Sequence, residues 1–152
     1  MNRDELLELC FGRTDLPAGQ RILEVTDAET NDVLSHLDLS YRRVIVRLRR
    51  PASGASIADA SETLTVAAIA NVATDPDHRA LGHATGLIEW AHREAAEHGP
   101  VRFAALFAGT AERGFYERLG YRHPVGASEN FLVCPLGDDQ WPDGSVDTRG
   151  EW

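Results

Sequence analysis

Apolar and polar positions repeat with two different periods along this chain, and the change of period predicts its strands and helices. Runs that are continuously apolar, or apolar at every second position, predict strands where turn residues bound them. They cover residues 21–26, 33–43, 44–48, 62–74, 101–107 and 130–136, with a bend or hairpin expected near residues 40–43. Apolar spacings of three and four residues predict helices over residues 3–11, 81–98 and 110–119.

The order of these elements predicts the fold class. Antiparallel strands come first and alternating strands and helices follow, which indicates an α+β protein with a mixed central sheet flanked by helices. Residues 51–61 are predicted to form a flexible surface connection, and residues 137–152 a tail with almost no secondary structure. A length of 152 residues is typical of one domain with a buried core. We therefore expect a single domain over residues 1–152.

The segment between the longest predicted strand and the longest predicted helix has the residues of a phosphate-binding turn. Residues 79–84 read RALGHA, a Gln/Arg-x-x-Gly-x-Gly/Ala pattern. Small residues allow the backbone to approach a ligand, and the N-terminus of the following helix directs unpaired N–H groups at the same place. Such a turn holds a diphosphate with few cationic side chains. A plain strand–loop–helix corner is the alternative, because short patterns also occur by chance.

A second motif follows this turn at the spacing of a known family. After the strand at residues 101–107, a short helix ends in residues 115–121, FYERLGY. Over residues 62–135 the sequence resembles the GCN5-related N-acetyltransferase (GNAT) superfamily in the order and spacing of these motifs. In that family the first turn binds the pyrophosphate of acetyl-CoA. The fourth and fifth strands of its central sheet splay apart, and the acyl-CoA lies in the gap.

The resemblance implies a set of residues that bind acetyl-CoA. Pantetheine would pair with the edge of the central strand as an added strand, and backbone N–H groups of that strand can also face the thioester oxygen. The diphosphate would lie over the N–H groups of the turn, with the arginine of the motif adding positive charge. The cofactor-binding residues expected on this basis are Val72, Ala73, Thr74, Arg79, Ala80, Leu81, Gly82, His83, Ala84 and Thr85.

The FYERLGY string supplies the catalytic side chain that the resemblance implies. Tyr116 matches the family's tyrosine beside the thioester sulfur, which makes it the candidate general acid for the departing thiolate. A phenol with an unperturbed pKa of about 10 is suited to this task. The alternative is an ordinary core aromatic packed beside Phe115 and Leu119. Tyr121, the nearby competitor, is expected to begin a strand and to pack.

No general base is evident in the sequence at the position where many family members carry a glutamate. The corresponding residues, 67–71, read AAIAN and include no titratable group, while Glu62 lies further upstream. Asn71 can orient a water molecule but cannot accept a proton at neutral pH. Three explanations stay open. A carboxylate elsewhere acts through water, or the amine loses its proton to solvent, or the domain binds acyl-CoA without catalysis.

The C-terminal residues supply candidates for the acceptor site. The ending WPDGSVDTRGEW is similar to those of some family members, including aminoglycoside 2′-N-acetyltransferases, which also finish on tryptophan and place the terminal carboxylate in the acceptor site. The resemblance therefore implies Asp147, Glu151 and Trp152 as substrate-binding residues. A disordered or surface-wrapped tail is the alternative, although disordered segments are poor in aromatic residues.

Composition and charge limit the classes of partner that the chain is expected to bind. A net charge of −9 disfavours nucleic acid and favours a cationic substrate, although such a charge also serves solubility alone. The two cysteines form no disulfide framework, and neither they nor the histidines have the spacing of a metal site. We therefore expect no metal, no membrane span and no secretory signal, and hence a reduced, cytoplasmic location.

These observations together predict an N-acetyltransferase that uses acetyl-CoA as its co-substrate. The expected acceptor is a primary amine of a small cationic molecule, with an aminoglycoside, and hence antibiotic resistance, as the leading particular case. The alternatives are a protein or peptide N-acetyltransferase and a non-catalytic acyl-CoA-binding module. The N-terminal segment is short for the family, so a homodimer that completes the acceptor site is a further expectation.

Overall fold

The computed structural model of the chain describes residues 1–13, 16, 19–48 and 60–152, in which six strands form one mixed sheet. The strands are β1 (Arg21–Thr26), β2 (Val33–Leu48), β3 (Ser61–Thr74), β4 (Phe103–Phe107), β5 (Phe131–Pro135) and β6 (Gly144–Asp147). The α-helices are α1 (Arg3–Phe11), α2 (His83–Ala96) and α3 (Thr110–Arg118). The sheet order is β1-β2-β3-β4-β5, with β6 paired to β2. The mixed sheet and its helices confirm the predicted α+β fold class.

The pairing of the strands fixes which residues face each other. β1 and β2 are antiparallel, with Glu24 opposite His36. β3 and β4 are parallel where residues 66–68 face residues 103–105, and β4 and β5 are antiparallel. β3 continues beyond this pairing to Thr74. The described β3–β4 pairing therefore ends before the carboxyl end of β3, which is the predicted pantetheine edge.

Strand β2 is longer than the sequence predicts. A hairpin at residues 40–43 is wrong, because one strand runs through Val33–Leu48. Its first half pairs with β1, and residues 45–48 pair with β6. The polar residues at 40–43 are typical of a turn, yet they include no glycine or proline to break the strand. Pairing with a segment far along the chain sustains the second half of β2.

The C-terminal segment carries regular structure that the sequence does not predict. Residues 144–147 form β6, so the expectation of a tail with almost no secondary structure is wrong. Gly144 makes the close approach to β2 possible, since a Cβ at this position would overlap the carbonyl oxygen of Arg47. A strand of 4 residues is too short to show a period in the sequence.

Capping residues and left-handed backbone conformations set the helix boundaries. α1 matches its prediction, because Asn2 and Glu5 form a capping box and Gly12 ends the helix with φ 67°. α2 begins at His83, later than predicted, because Gly82 has φ 82°. The other helix and strand ends match the prediction or differ from it by at most two residues, apart from the uninterrupted β2 and the unpredicted β6.

The chain divides into two compact units, each with its own core. The first unit comprises Met1–Ser40 and Ile69–Glu94, and the second comprises Tyr41–Ala68 and Ala95–Trp152. The core of the first unit contains Leu6, Leu7, Val33 and Ala73. The core of the second unit contains Val44, Val46, Leu64, Val66, Phe103, Ala105, Phe131 and Val133. Within the described residues, no helix is long and apolar enough to cross a bilayer. Most of the predicted surface connection, residues 51–59, lies outside the described residues.

Candidate active site

In the first unit the chain passes from β3 into α2 through a tight turn. The Asp75 carboxylate accepts a hydrogen bond from the N–H of Asp77 (3.0 Å), which starts a short 3-10 turn over Pro76–His78. Ala80 (φ 62°) and Gly82 (φ 82°) then adopt left-handed conformations and turn the chain into the helix. The strand, turn and helix expected around the RALGHA motif are therefore present.

The N-terminus of α2 presents unpaired N–H groups at this turn. The first hydrogen bond of the helix runs from the N–H of Gly86 to the carbonyl of Gly82 (2.9 Å). Among the described residues, no hydrogen bond engages the N–H groups of residues 80–85. A Cβ added at Gly82 or Gly86 would meet no atom within 4 Å, so the space beside the turn is open. Such a row of N–H groups at the positive end of a helix dipole is suited to a diphosphate.

Two side chains, those of the predicted Arg79 and of Ser35 on β2, donate hydrogen bonds to the carboxyl end of β3. The Nε of Arg79 donates to the carbonyl of Thr74 (3.2 Å), and its Nη2 lies 3.9 Å from the sulfur of Cys10. The hydroxyl of Ser35 donates to the carbonyl of Ala73 (3.1 Å) and lies 2.9 Å from the hydroxyl of Thr74. The carbonyl of Thr74 also accepts from the thiol of Cys10 (3.5 Å), so side chains already engage the carbonyl oxygens at the end of β3.

A buried polar cluster on β2 adjoins the same strand and was not predicted from the sequence. The Asp38 side chain, 2% exposed, accepts hydrogen bonds from Asn71 Nδ2 (2.7 Å) and Arg3 Nη2 (3.1 Å). The fully buried His36 lies between Asp38 (3.3 Å) and Glu24 (3.2 Å). Burial acts to raise the pKa of the Asp38 carboxyl, but the neighbouring His36 and the hydrogen bond from Asn71 outweigh it, and the pKa falls to about 2. The sequence signal that could have revealed this cluster is the pair His36 and Asp38, two polar residues at alternate positions of a largely apolar strand.

In the second unit Tyr116 lies on α3 and is 8% exposed. Its ring makes edge contacts with Phe115 (5.0 Å between centroids) and Tyr121 (5.9 Å). Burial raises the pKa of Tyr116 to about 12, and the negative charge of Glu112 adds to the rise. Tyr116 therefore keeps its proton at neutral pH. Tyr121 is fully buried as expected but lies outside the strands.

The chain end packs on the second unit through its last residue. The indole of Trp152 lies edge-on to Phe107 (4.9 Å between centroids) and Phe131 (5.9 Å). The guanidinium of Arg42 lies 5.5 Å from the indole centroid. These contacts tie the C-terminus to β4 and β5 by burying a large aromatic ring.

The other two predicted acceptor-site residues have different surroundings. Asp147 is the last residue of β6, and its carboxylate accepts a hydrogen bond from the N–H of Arg149 (2.9 Å). Glu151 is exposed. All three acceptor-site candidates and Tyr116 therefore belong to the second unit, whereas the predicted acetyl-CoA-binding residues belong to the first.

β3 carries no titratable side chain at the positions of the family's glutamate. Residues 67–69 are buried and apolar, and the side chain of Asn71 is bound to Asp38. Upstream on β3, the carboxylate of Glu62 pairs with Arg102 Nη2 (3.0 Å). Across the described part of the chain, no three His, Cys, Asp or Glu residues are grouped so as to hold a metal ion.

Comparisons with known proteins bear on the fold of the chain. Residues 54–123 match the family model of the acetyltransferase (GNAT) domain. No curated protein sequence matches the chain. The GNAT N-acetyltransferase YhbS from Escherichia coli, solved with CoA, is 22% identical, with 95% of this chain and 81% of that chain covered and a TM-score of 0.66. A GNAT acetyltransferase from Brucella melitensis, solved with acetyl-CoA, is 20% identical, with 85% of this chain and 66% of that chain covered and a TM-score of 0.54.

Larger proteins also contain this fold. Eis1 from Mycobacterium abscessus is 19% identical, with 79% of this chain but 27% of that chain covered and a TM-score of 0.57. The chain therefore spans only part of the length of such proteins, 27% of Eis1 and 21% of a GCN5-related N-acetyltransferase from Kribbella flavida. Toxins such as AtaT share the fold as well. Residues 54–123 therefore match the model of a GNAT acetyltransferase domain, and the solved structures share the fold of this chain.

Proposed function

We propose that the chain transfers the acetyl group of acetyl-CoA to a primary amine of a small cationic acceptor. The observation that carries this proposal is the open row of N–H groups at residues 80–85, at the start of a 14-residue helix. These groups bind a diphosphate without many basic side chains, which suits a chain with a net charge of −9. Arg79, folded onto the end of β3, adds one positive charge to the turn.

Amide formation sets the chemical tasks of the site. The nitrogen of the neutral amine attacks the carbonyl carbon of the thioester, and the carbonyl oxygen becomes negative. The backbone N–H groups of residues 72–74 are the candidates that stabilise this oxygen. The C–S bond then breaks, the new amide nitrogen releases its extra proton, and the CoA sulfur leaves as a thiolate that takes up a proton.

Tyr116 is the candidate partner of the departing sulfur. Its pKa of about 12 makes full proton transfer to a thiolate of pKa about 8.5 uphill by roughly 5 kcal/mol. The same high pKa keeps the hydroxyl protonated, so it can donate a hydrogen bond as negative charge develops on sulfur. We therefore assign Tyr116 to stabilisation of the thiolate by hydrogen bonding, with solvent supplying the final proton.

We assign the acceptor site to the chain end. Packing of Trp152 on Phe107 and Phe131 supports this, because it holds the terminal carboxylate by a partly buried ring. Asp147 and Glu151 would add negative charge for a polycation, and an aminoglycoside is the particular acceptor we propose. Resistance to that antibiotic would follow from its acetylation. A homodimer and a cytoplasmic location stay predictions from the sequence.

Acetyl-CoA turnover, followed by release of the CoA thiol, tests this proposal. The acceptors are a panel of aminoglycosides, polyamines and short peptides, and wild type is compared with a chain that lacks Glu151 and Trp152. We expect turnover on an aminoglycoside and a loss of at least about tenfold in kcat/KM on truncation. Trp152→Phe is the matched control, since it keeps an aromatic ring and the terminal carboxylate, and it should retain most of the activity. Equal activity after truncation would remove the chain end from the acceptor site, and turnover on peptides alone would replace the proposed acceptor.

A non-catalytic acyl-CoA-binding module is the second candidate. The absence of a titratable group at residues 67–71 favours it. Calorimetric titration with CoA, run beside the turnover assay, separates the two. Binding with turnover supports the enzyme, whereas binding without turnover on every amine of the panel supports the module.

A further inference from the structure

Asn71, the residue that precedes the proposed pantetheine edge, has a backbone conformation that needs support. Its φ is 53°, in the left-handed region, although it lies within strand β3. A residue with a side chain is disfavoured in this region, so it stays there only when its surroundings hold it.

The support comes from the neighbouring strand β2. The Nδ2 of Asn71 donates to Asp38 Oδ2 at 2.7 Å, and the same oxygen accepts from Arg3 Nη2 at 3.1 Å. The other carboxylate oxygen, Oδ1, lies 3.3 Å from His36 Nε2. Because the Asp38 side chain is 2% exposed, moving it would leave several buried polar groups without partners. Asp38 is therefore a fixed anchor for the side chain of Asn71.

We propose that Asp38 is a positioning residue for acetyl-CoA, which holds the left-handed backbone of Asn71 and thereby the edge formed by residues 72–74. The proposal rests on the proposed binding of acetyl-CoA at this edge. The same strand β2 also holds the two residues after Val72, because the Ser35 hydroxyl contacts Ala73 and Thr74. Loss of the Asp38 anchor lowers the fraction of molecules whose edge is competent to bind, and it weakens the apparent affinity by that fraction.

Two substitutions of Asn71 separate the effect of its backbone conformation from the effect of its side-chain hydrogen bond to Asp38. Asn71→Gly removes the hydrogen bond to Asp38 but adopts positive φ freely, whereas Asn71→Ala removes it and adds a steric penalty. We expect the Kd of CoA, measured by calorimetric titration, to rise about threefold in Asn71→Gly and about tenfold in Asn71→Ala. Asn31, with φ 63° in the turn between β1 and β2, provides the matched control. Asn31→Ala should lower the Tm and leave the Kd unchanged.

A double-mutant cycle tests whether the effect passes through Asn71. Asp38→Asn should raise the Kd of CoA in wild type and have much less effect in the Asn71→Gly background. An equal rise in both backgrounds, or equal affinities for wild type and Asn71→Ala, would overturn the positioning role and leave the proposed function standing. Failure of the wild-type chain to bind CoA would overturn both together.

Discussion

The acid stability of the chain tests the buried cluster around Asp38 quantitatively. Burial opposes ionisation of this carboxyl, but the neighbouring His36 and the hydrogen bond from Asn71 lower its pKa from 3.8 to about 2. The folded state therefore binds this proton more weakly than the unfolded chain. The resulting stabilisation is fully present above a pH of about 5 and is lost as the pH falls through about 2. A difference of about 1.8 between the two pKa values corresponds to about 2 kcal/mol in the free energy of unfolding.

Asp38→Asn removes the titrating group and keeps the shape of the side chain. Urea unfolding of both proteins, at steps from about pH 6 to about pH 2, gives the difference in their free energies of unfolding. We expect this difference to shrink by about 2 kcal/mol between about pH 5 and about pH 2. Asp27 and Asp32 also have lowered pKa values, but they titrate in both proteins and cancel. Asp138→Asn, at an exposed position, is the matched control and should follow the wild-type pH dependence.

A difference between wild type and Asp38→Asn that stays constant over this range would refute the reasoning. If Asp38→Asn fails to fold, a carbon-13 NMR titration of the Asp38 carboxyl in the wild-type chain gives the same pKa directly. A midpoint near the ordinary value of about 3.9 would then show that the cluster does not stabilise the carboxylate.

Two further predictions concern the stability provided by the C-terminal strand β6 and the activity provided by Tyr116 on α3. Gly144→Ala places a Cβ against the carbonyl oxygen of Arg47 and should lower the free energy of unfolding by about 1–3 kcal/mol in urea. Gly137→Ala, where a Cβ meets no atom within 4 Å, should change it by less than about 0.5 kcal/mol, and equal losses would contradict the role of the close approach. Tyr116→Phe keeps the ring and should lower kcat by about 10²-fold with the Kd of CoA unchanged, as measured by thiol release and calorimetry. Tyr121→Phe should keep kcat, and an unchanged kcat in Tyr116→Phe would remove that hydroxyl from the reaction.

The sequence predicted correctly the elements whose ends are set by residues close to them in the chain. The helix α1 was predicted to the residue from its apolar spacing, and Asn2, Glu5 and Gly12 define both of its ends within the segment itself. The turn before α2 was identified for the same reason, since RALGHA carries its small residues and its helix start in consecutive positions. Such features need no knowledge of the rest of the fold.

Features that depend on distant residues could not be read in this way. β6 forms because Gly144 allows pairing with the far end of β2, and that pairing in turn sustains the strand where a hairpin was expected. Asn71 and Asp38 are 33 residues apart in sequence, and neither residue signals the other. The pKa of Tyr116 likewise follows from burial, which the FYERLGY string does not reveal. In each case tertiary packing, and not local preference, decides the outcome.

The lack of a titratable group at residues 67–71 determines how the reaction rate should depend on pH. Without a base there, the acceptor loses its proton to solvent and only the neutral amine attacks. The logarithm of kcat/KM then rises with unit slope up to the pKa of the acceptor amine, about 10 for a lysine-like amine. An enzyme with a histidine or carboxylate base levels off near a pKa of about 6.5 or 4.3 instead. The pKa of Tyr116, about 12, keeps ionisation of that hydroxyl out of this range.

Two acceptors whose amines differ in pKa distinguish these mechanisms. If the amine loses its proton to solvent, the inflection follows the pKa of the amine. If a base of the protein accepts the proton, the inflection stays at the pKa of that base. We expect the inflection in kcat/KM, measured by thiol release from about pH 6 to about pH 11, to move with the acceptor. Glu62→Gln is the matched variant for the nearest carboxylate upstream on β3. Since Glu62 is paired with Arg102 at 3.0 Å, its removal should leave the profile unchanged. An inflection fixed near a pH of about 6.5 for both acceptors would identify a base supplied by the protein, which would then act from outside residues 67–71.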